Sequence, residues 1–147
     1  MPFRFEFDST NRILRSRFCK EVTEAELTDC YRLIAILSEA LRPEAGVADF
    51  SEATATFSSE TVRKLAKLPP AMPEPNHPRF IVAASDHIFG LARMFQIEGE
   101  ATRPNLYVVR SERDVWETLG VDGLEFDSAP KSSDFSPPDA KEDKMTC

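Results

Sequence analysis

The sequence predicts a mixed-sheet α/β domain, an N-terminal antiparallel hairpin followed by βα units. Three observations carry this reading. Phe3, Phe5 and Phe7 alternate with Arg4 and Glu6, the period of a half-buried strand. Strand and helix patterns then take turns in the order β-β-α-β-α-β-α-β-α, which implies parallel pairing through right-handed crossovers. Finally, Phe80-Ile81-Val82-Ala83-Ala84 and Leu106-Tyr107-Val108-Val109 are continuous apolar runs, the pattern of strands covered on both faces.

Each element has a local cause. Asp8-Ser9-Thr10-Asn11 supplies turn chemistry after the first strand. In the second strand Leu14, Ser16 and Phe18 share a face, while Arg15 and Arg17 point the other way. Thr23 and Glu26 form a capping box that starts a helix. Leu27, Cys30, Tyr31, Ile34, Leu37 and Leu41 follow on one face, and Arg42-Pro43 ends the helix. Gly46-Val47-Ala48-Asp49-Phe50 reads as a short inner strand, followed by a loop of small residues. Ser58 then caps a second helix, with Phe57 and Val62 in the two positions of a hydrophobic staple. Between Leu68 and Pro78, five of eleven residues are proline, the composition of a stiff exposed connector. Ser85 caps a helix over residues 86–99. Ser111 caps the last one, whose first-turn acids Glu112 and Asp114 complement the helix dipole and which Gly120 ends.

Composition narrows the function. The net charge is −7, against the clustered positive charge that nucleic-acid binding draws on, so no nucleic-acid partner is expected. No apolar run is long enough to span a membrane. Residues 1–120 carry 15 basic and 18 acidic residues, and residues 121–147 carry 3 and 7. This Ser/Pro-rich acidic tail is expected to be disordered, leaving a domain over residues 1–120. Cys19, Cys30 and Cys147 have no metal-ligand spacing and are expected as free thiols in a cytoplasmic protein.

No catalytic motif emerges. His77 and His87 have no Cys or acid at ligand spacing, so no metal is expected. The five glycines form no phosphate-cradling loop, and no serine sits in a nucleophile elbow, so neither a cofactor nor an enzyme activity is expected. Asp49 at a strand end has no acidic pair or lysine to make it a phosphoacceptor. Arg4, Arg15 and Arg17 read as a solvated sheet face. Ser58, at a helix start, is a candidate phosphorylation site, although plain capping explains it more simply. The helix from Asp86 holds more apolar residues than one face accommodates. Ile88, Leu91, Ala92 and Phe95 are expected on the sheet. Phe89, Gly90, Met94 and Ile97 form a candidate surface for a protein partner, a second copy or an apolar ligand, with Gly90 read as a point of close approach.

The order of elements, the Ala48-Asp49-Phe50 strand end, the Ser58-Ser59 helix start and the stretch Ser85-Asp86-His87-Ile88-Phe89-Gly90-Leu91-Ala92-Arg93 together resemble the STAS superfamily. Within it they resemble the SpoIIAA-like group of small bacterial proteins, also compared with SEC14 (CRAL-TRIO) lipid-binding domains. The resemblance covers residues 3–120. It implies a non-catalytic regulatory module acting through protein–protein contacts, with a SEC14-like carrier of a small apolar ligand or lipid as the alternative. In STAS antagonists the regulated serine lies in an Asp-Ser-Ser/Thr-Gly segment opening the helix after this strand. Ser58 matches the serine, but Phe57 stands for the Asp and Glu60 for the Gly, so the phospho-switch does not carry over with the fold.

Overall fold

The computed structural model describes residues 3–128. β1 (Phe3–Asp8) and β2 (Ile13–Val22) form the expected hairpin, with Phe5 opposite Ser16 and Phe7 opposite Leu14. Its turn is held by the Asp8 carboxylate, which accepts hydrogen bonds from the backbone N–H groups of Thr10 and Asn11. α1 (Glu24–Leu41) begins at Thr23 with the reciprocal capping box and ends at Arg42, which takes up a left-handed conformation before Pro43. β3 (Ala45–Ala55), α2 (Ser59–Ala66), β4 (Arg79–Val82), α3 (Asp86–Glu98), β5 (Leu106–Val109) and α4 (Glu112–Leu119) follow in the predicted order.

The six strands are ordered β5-β4-β3-β2-β1-β6, with β2 through β5 mutually parallel and β1 antiparallel to both neighbours. Because the parallel strands step in one direction across the sheet, right-handed crossovers place α1, α2 and α3 on the same face. That face holds the larger core, where Phe3, Phe18, Phe50, Leu37, Val62 and Ile88 meet. Phe18 stacks on Phe50 with ring centroids 4.1 Å apart. α4 lies on the opposite face, where Val115 packs with Ile13, Val47, Phe80 and Val82.

Four expectations about the course of the chain and its cysteines need correction. The strand read at residues 46–50 runs on to Ala55, because β2 continues to Val22 and pairs Val22 with Ala55 after a register shift between Arg17 and Cys19. Small residues that look loop-like in isolation are there held by a partner strand. The proline connector is not wholly exposed. Met72 is buried, and its sulfur packs so closely on Gly46 that a Cβ there would meet it at 2.5 Å. Free thiols were expected throughout; Cys30 is free and buried, but Cys19 is disulfide-bonded.

The fourth correction concerns the domain boundary at residue 120. Gly120 ends α4 in a left-handed conformation (φ 70°) as expected, but the chain then turns back along the sheet. Val121, Leu124 and Phe126 pack on the second core, and β6 (Asp127–Ser128) pairs antiparallel with β1. The two-turn α4 covers only part of the apolar second face, so the few apolar residues of an otherwise polar segment find surface to bury. The disorder expected for residues 129–147, and the thiol of Cys147, lie outside the described residues. No helix among the described residues is long and apolar enough to cross a membrane.

Candidate functional site

Ser58 occupies the position read from the sequence. It is exposed and extended (φ −103°, ψ 173°), and its hydroxyl accepts the Thr61 N–H at 3.4 Å. Phe57 and Val62 are both buried beneath it, completing the staple. β3 and β4 are parallel, so α2 and α3 start at the same edge of the sheet, the carboxyl ends of the strands where open α/β folds place their sites. Arg63 of α2 reaches Glu98 of α3 at 3.8 Å across the helix pair.

α3 divides as its periodicity predicts. Ile88, Leu91 and Ala92 are buried, and Phe95 is half-buried with the Arg103 guanidinium 4.8 Å over its ring. The four candidate surface residues differ among themselves. Phe89 and Met94 are half-buried against the core, and Arg110 covers the Phe89 ring at 3.9 Å. Ile97 is 61% exposed. Gly90 is exposed and a Cβ on it would meet nothing within 4 Å, so nothing approaches it closely and the packing reason expected for it is overturned. His87 is exposed. Among the described residues, no group of His, Cys, Asp and Glu is arranged to hold a metal ion.

A second constellation, on the opposite sheet face, is one that sequence reasoning missed. Arg15 is not solvated. Its guanidinium lies 2.6 Å from Glu6 Oε1 and 2.8 Å from Glu112 Oε1, and 3.8 Å over the Phe126 ring. Arg4 and Arg17, also expected as solvated, are only partly exposed, 42% and 36%, and lie beside Glu6 and Asp49. Arg17 faces both Asp49 (3.7 Å) and Glu112 (3.9 Å). Asp49 is buried and accepts hydrogen bonds from the Ser51 N–H and hydroxyl.

Burial pushes Glu112 up to about 7; the hydrogen bond with Asp49 and that neighbour's charge reinforce the rise, which Arg15 and Arg17 oppose. For Asp49 burial also acts upward, but hydrogen bonds from Glu112 and Ser51 and the charge of Arg17 outweigh it and hold the carboxyl below its ordinary value. The two carboxyls therefore share a proton near neutral pH, a property of the pair. Glu112 Oε2 has no hydrogen-bond donor from the protein, which makes it the natural seat of that proton. The pair ties the start of α4 to the sheet. One signal was available in the sequence: Arg15 and Asp49 share strand faces with the apolar Ile13 and Val47.

No protein-family model matches the chain, and no curated protein does. Solved structures do. The fold is similar to that of the anti-sigma factor antagonist SpoIIAA in its unphosphorylated form, with a TM-score of 0.56 and 12% sequence identity, over 82% of this chain and 99% of that one. It is also similar to the Bacillus cell fate determinant SpoIIAA in the phosphorylated form, with a TM-score of 0.52 and 14% identity, over 79% and 98% of the two chains. The chain thus has a SpoIIAA-like fold, the fold that the motifs resemble.

Proposed function

We propose, from this SpoIIAA-like fold, that the chain is a non-catalytic regulatory module that acts by binding a protein partner or a second copy of itself. The surface would be the shared edge and outer side of α2 and α3. The observation that carries the reading is the placement of Ile97, a large apolar side chain left 61% exposed on the helix beside the one that Ser58 opens. An exposed apolar side chain gains by burial against a partner, and isoleucine at full burial is worth ~1.5–3 kcal/mol.

Ser58 is the point at which phosphorylation would act on that surface. A phosphate there would meet the positive end of the α2 dipole. Two features work against a switch: Phe57 occupies the core where antagonists carry an Asp, and Glu60 places a like charge in the first turn.

Native mass spectrometry of the protein purified from its own cells tests both points. Wild type is expected to carry a second protein chain, and Met94→Glu with Ile97→Lys to release it while remaining folded. A phosphate mass absent from Ser58→Ala would assign the modification. A bare monomer in every preparation would refute the partner surface. The alternative, a SEC14-like carrier, finds no support among the structural neighbours; in the same spectra it requires a co-purified lipid mass.

A further inference from the structure

Between the sheet and α1, α2 and α3 lies a cavity of about 180 Å³ whose walls are almost entirely apolar. Leu14, Phe18, Ile34 and Phe50 are among its lining, and two arginines, Arg79 and Arg103, join them. Both arginines are buried, 8% and 4% exposed, and among the described residues neither is paired with a carboxylate. Taking a guanidinium out of water without a counter-charge costs several kcal/mol unless hydrogen bonds replace the lost hydration.

The two differ in how far that replacement goes. Arg103 is well supplied, donating to the carbonyls of Ala66 (2.9 Å) and Leu68 (3.0 Å) and to the Tyr31 hydroxyl (2.6 Å). Arg79 is not. Its Nη2 donates to the carbonyls of Met72 and Glu74, but its Nε and Nη1 are buried with no partner. Burial, and then the nearby charge of Arg103, pull the Arg79 guanidinium below its ordinary pKa, against the opposing effect of Tyr31. Beside it, Met72 of the proline connector packs over Gly46. Methionine is the side chain best able to change rotamer and admit a ligand.

We propose that this cavity binds a small monocarboxylate with an apolar tail, its head on Arg79 and its tail against the sheet. A carboxylate supplies what Arg79 lacks, acceptor oxygens and a negative charge. The volume is close to the ~150 Å³ of a cavity known to hold benzene, so it suits a tail of about six to eight carbons and excludes a two-chain membrane lipid. A lone water would satisfy Arg79 in part but leaves the charge unbalanced and the apolar walls unfilled.

This site is separate from the α2–α3 surface and stands or falls independently of partner binding. The test uses sodium octanoate and its neutral counterpart octanol as probes of the full chain, read by calorimetry and by the shift of the thermal midpoint. Octanoate is expected to bind and stabilise, and octanol to bind roughly ten- to a hundredfold more weakly, the scale of a charge-assisted hydrogen bond. Arg79→Gln is expected to lose that preference. Ala48→Leu, which fills the cavity from its sheet wall, is expected to fold and to bind neither probe. If Arg79→Gln fails to fold, the octanoate–octanol difference in wild type and its loss in Ala48→Leu decide the matter. Equal binding of the two probes, no binding of either, or octanoate binding that survives Ala48→Leu would each overturn the proposal.

Discussion

Raising the pH from about 5 to about 8 is expected to destabilise this domain, and Glu112→Gln to remove most of that loss. The carboxyl of Glu112 has an ordinary value of 4.5 and stands at about 7 in the fold. Between those values the folded chain holds more protons than the unfolded one. The stability this contributes is fully present below 4.5 and is lost as pH rises through about 7. At 1.36 kcal/mol per pH unit the loss amounts to about 3 kcal/mol at most. The Glu112 side chain is only 19% exposed, so solvent screens little of it. For a domain of this size that corresponds to roughly ten degrees in the thermal midpoint. Asp49 acts in the opposite sense. Its lowered value contributes stability above 3.8 that disappears as pH falls through the folded pKa. The stability maximum therefore lies on the acid side of neutrality. The assay is thermal unfolding followed by circular dichroism at constant ionic strength, for wild type and Glu112→Gln. Glu112→Gln also loses its charge pairing with Arg15, so its absolute midpoint shifts, and the slope against pH is the readout. A wild-type midpoint that stays level or climbs across this window, or an equal slope in the variant, would refute the shared proton.

Three further outcomes are expected. Ser58→Ala should cost about 1 kcal/mol of stability through loss of the α2 cap, measured by urea unfolding; no change would mean that the hydroxyl does not cap in solution. Truncation after Gly120 should lower the thermal midpoint by roughly ten degrees, since the half-buried Val121, Leu124 and Phe126 together contribute ~3 kcal/mol. An unchanged midpoint would return the domain boundary to residue 120. Gly90→Ala should stabilise α3 by about 1 kcal/mol, because the added methyl meets nothing within 4 Å and glycine disfavours helix interiors. Destabilisation there would reveal a close approach that the fold does not show.

Much of the architecture was legible along the chain. The capping box at Thr23, the Ser58 and Ser85 caps and the left-handed Gly120 all appear where their residue types demand them. Such signals act within one or two helical turns, so neighbouring residues suffice to state them. The end of β3 was not legible, because Ser51 to Ala55 become a strand only against the far half of β2. The proposed surface was legible in part. Periodicity separated Ile97 from the buried stripe of α3, but it gave no means to know that Phe89 and Met94 would be half covered, or that Arg110 would lie on Phe89.

By itself the sequence determined the element order through α4, the side-chain caps at Thr23, Ser58 and Ser85 but not at Ser111, whose hydroxyl makes no cap bond, and the apolar stripes. The handedness of parallel crossovers puts α1, α2 and α3 on one sheet face only once the strand order is known. Only the tertiary structure decided what lies on the second face and inside the first. Arg15 meets Glu112, Asp49 lies against Glu112, and Phe126 returns to cover Arg15, each across a long stretch of intervening chain. Arg79 faces a cavity whose opposite walls come from three separate helices. The physical reason is the range of the forces involved. Backbone geometry and capping are satisfied locally. The environment of a charge depends on which distant segments exclude water from it, and residue spacing does not encode that exclusion.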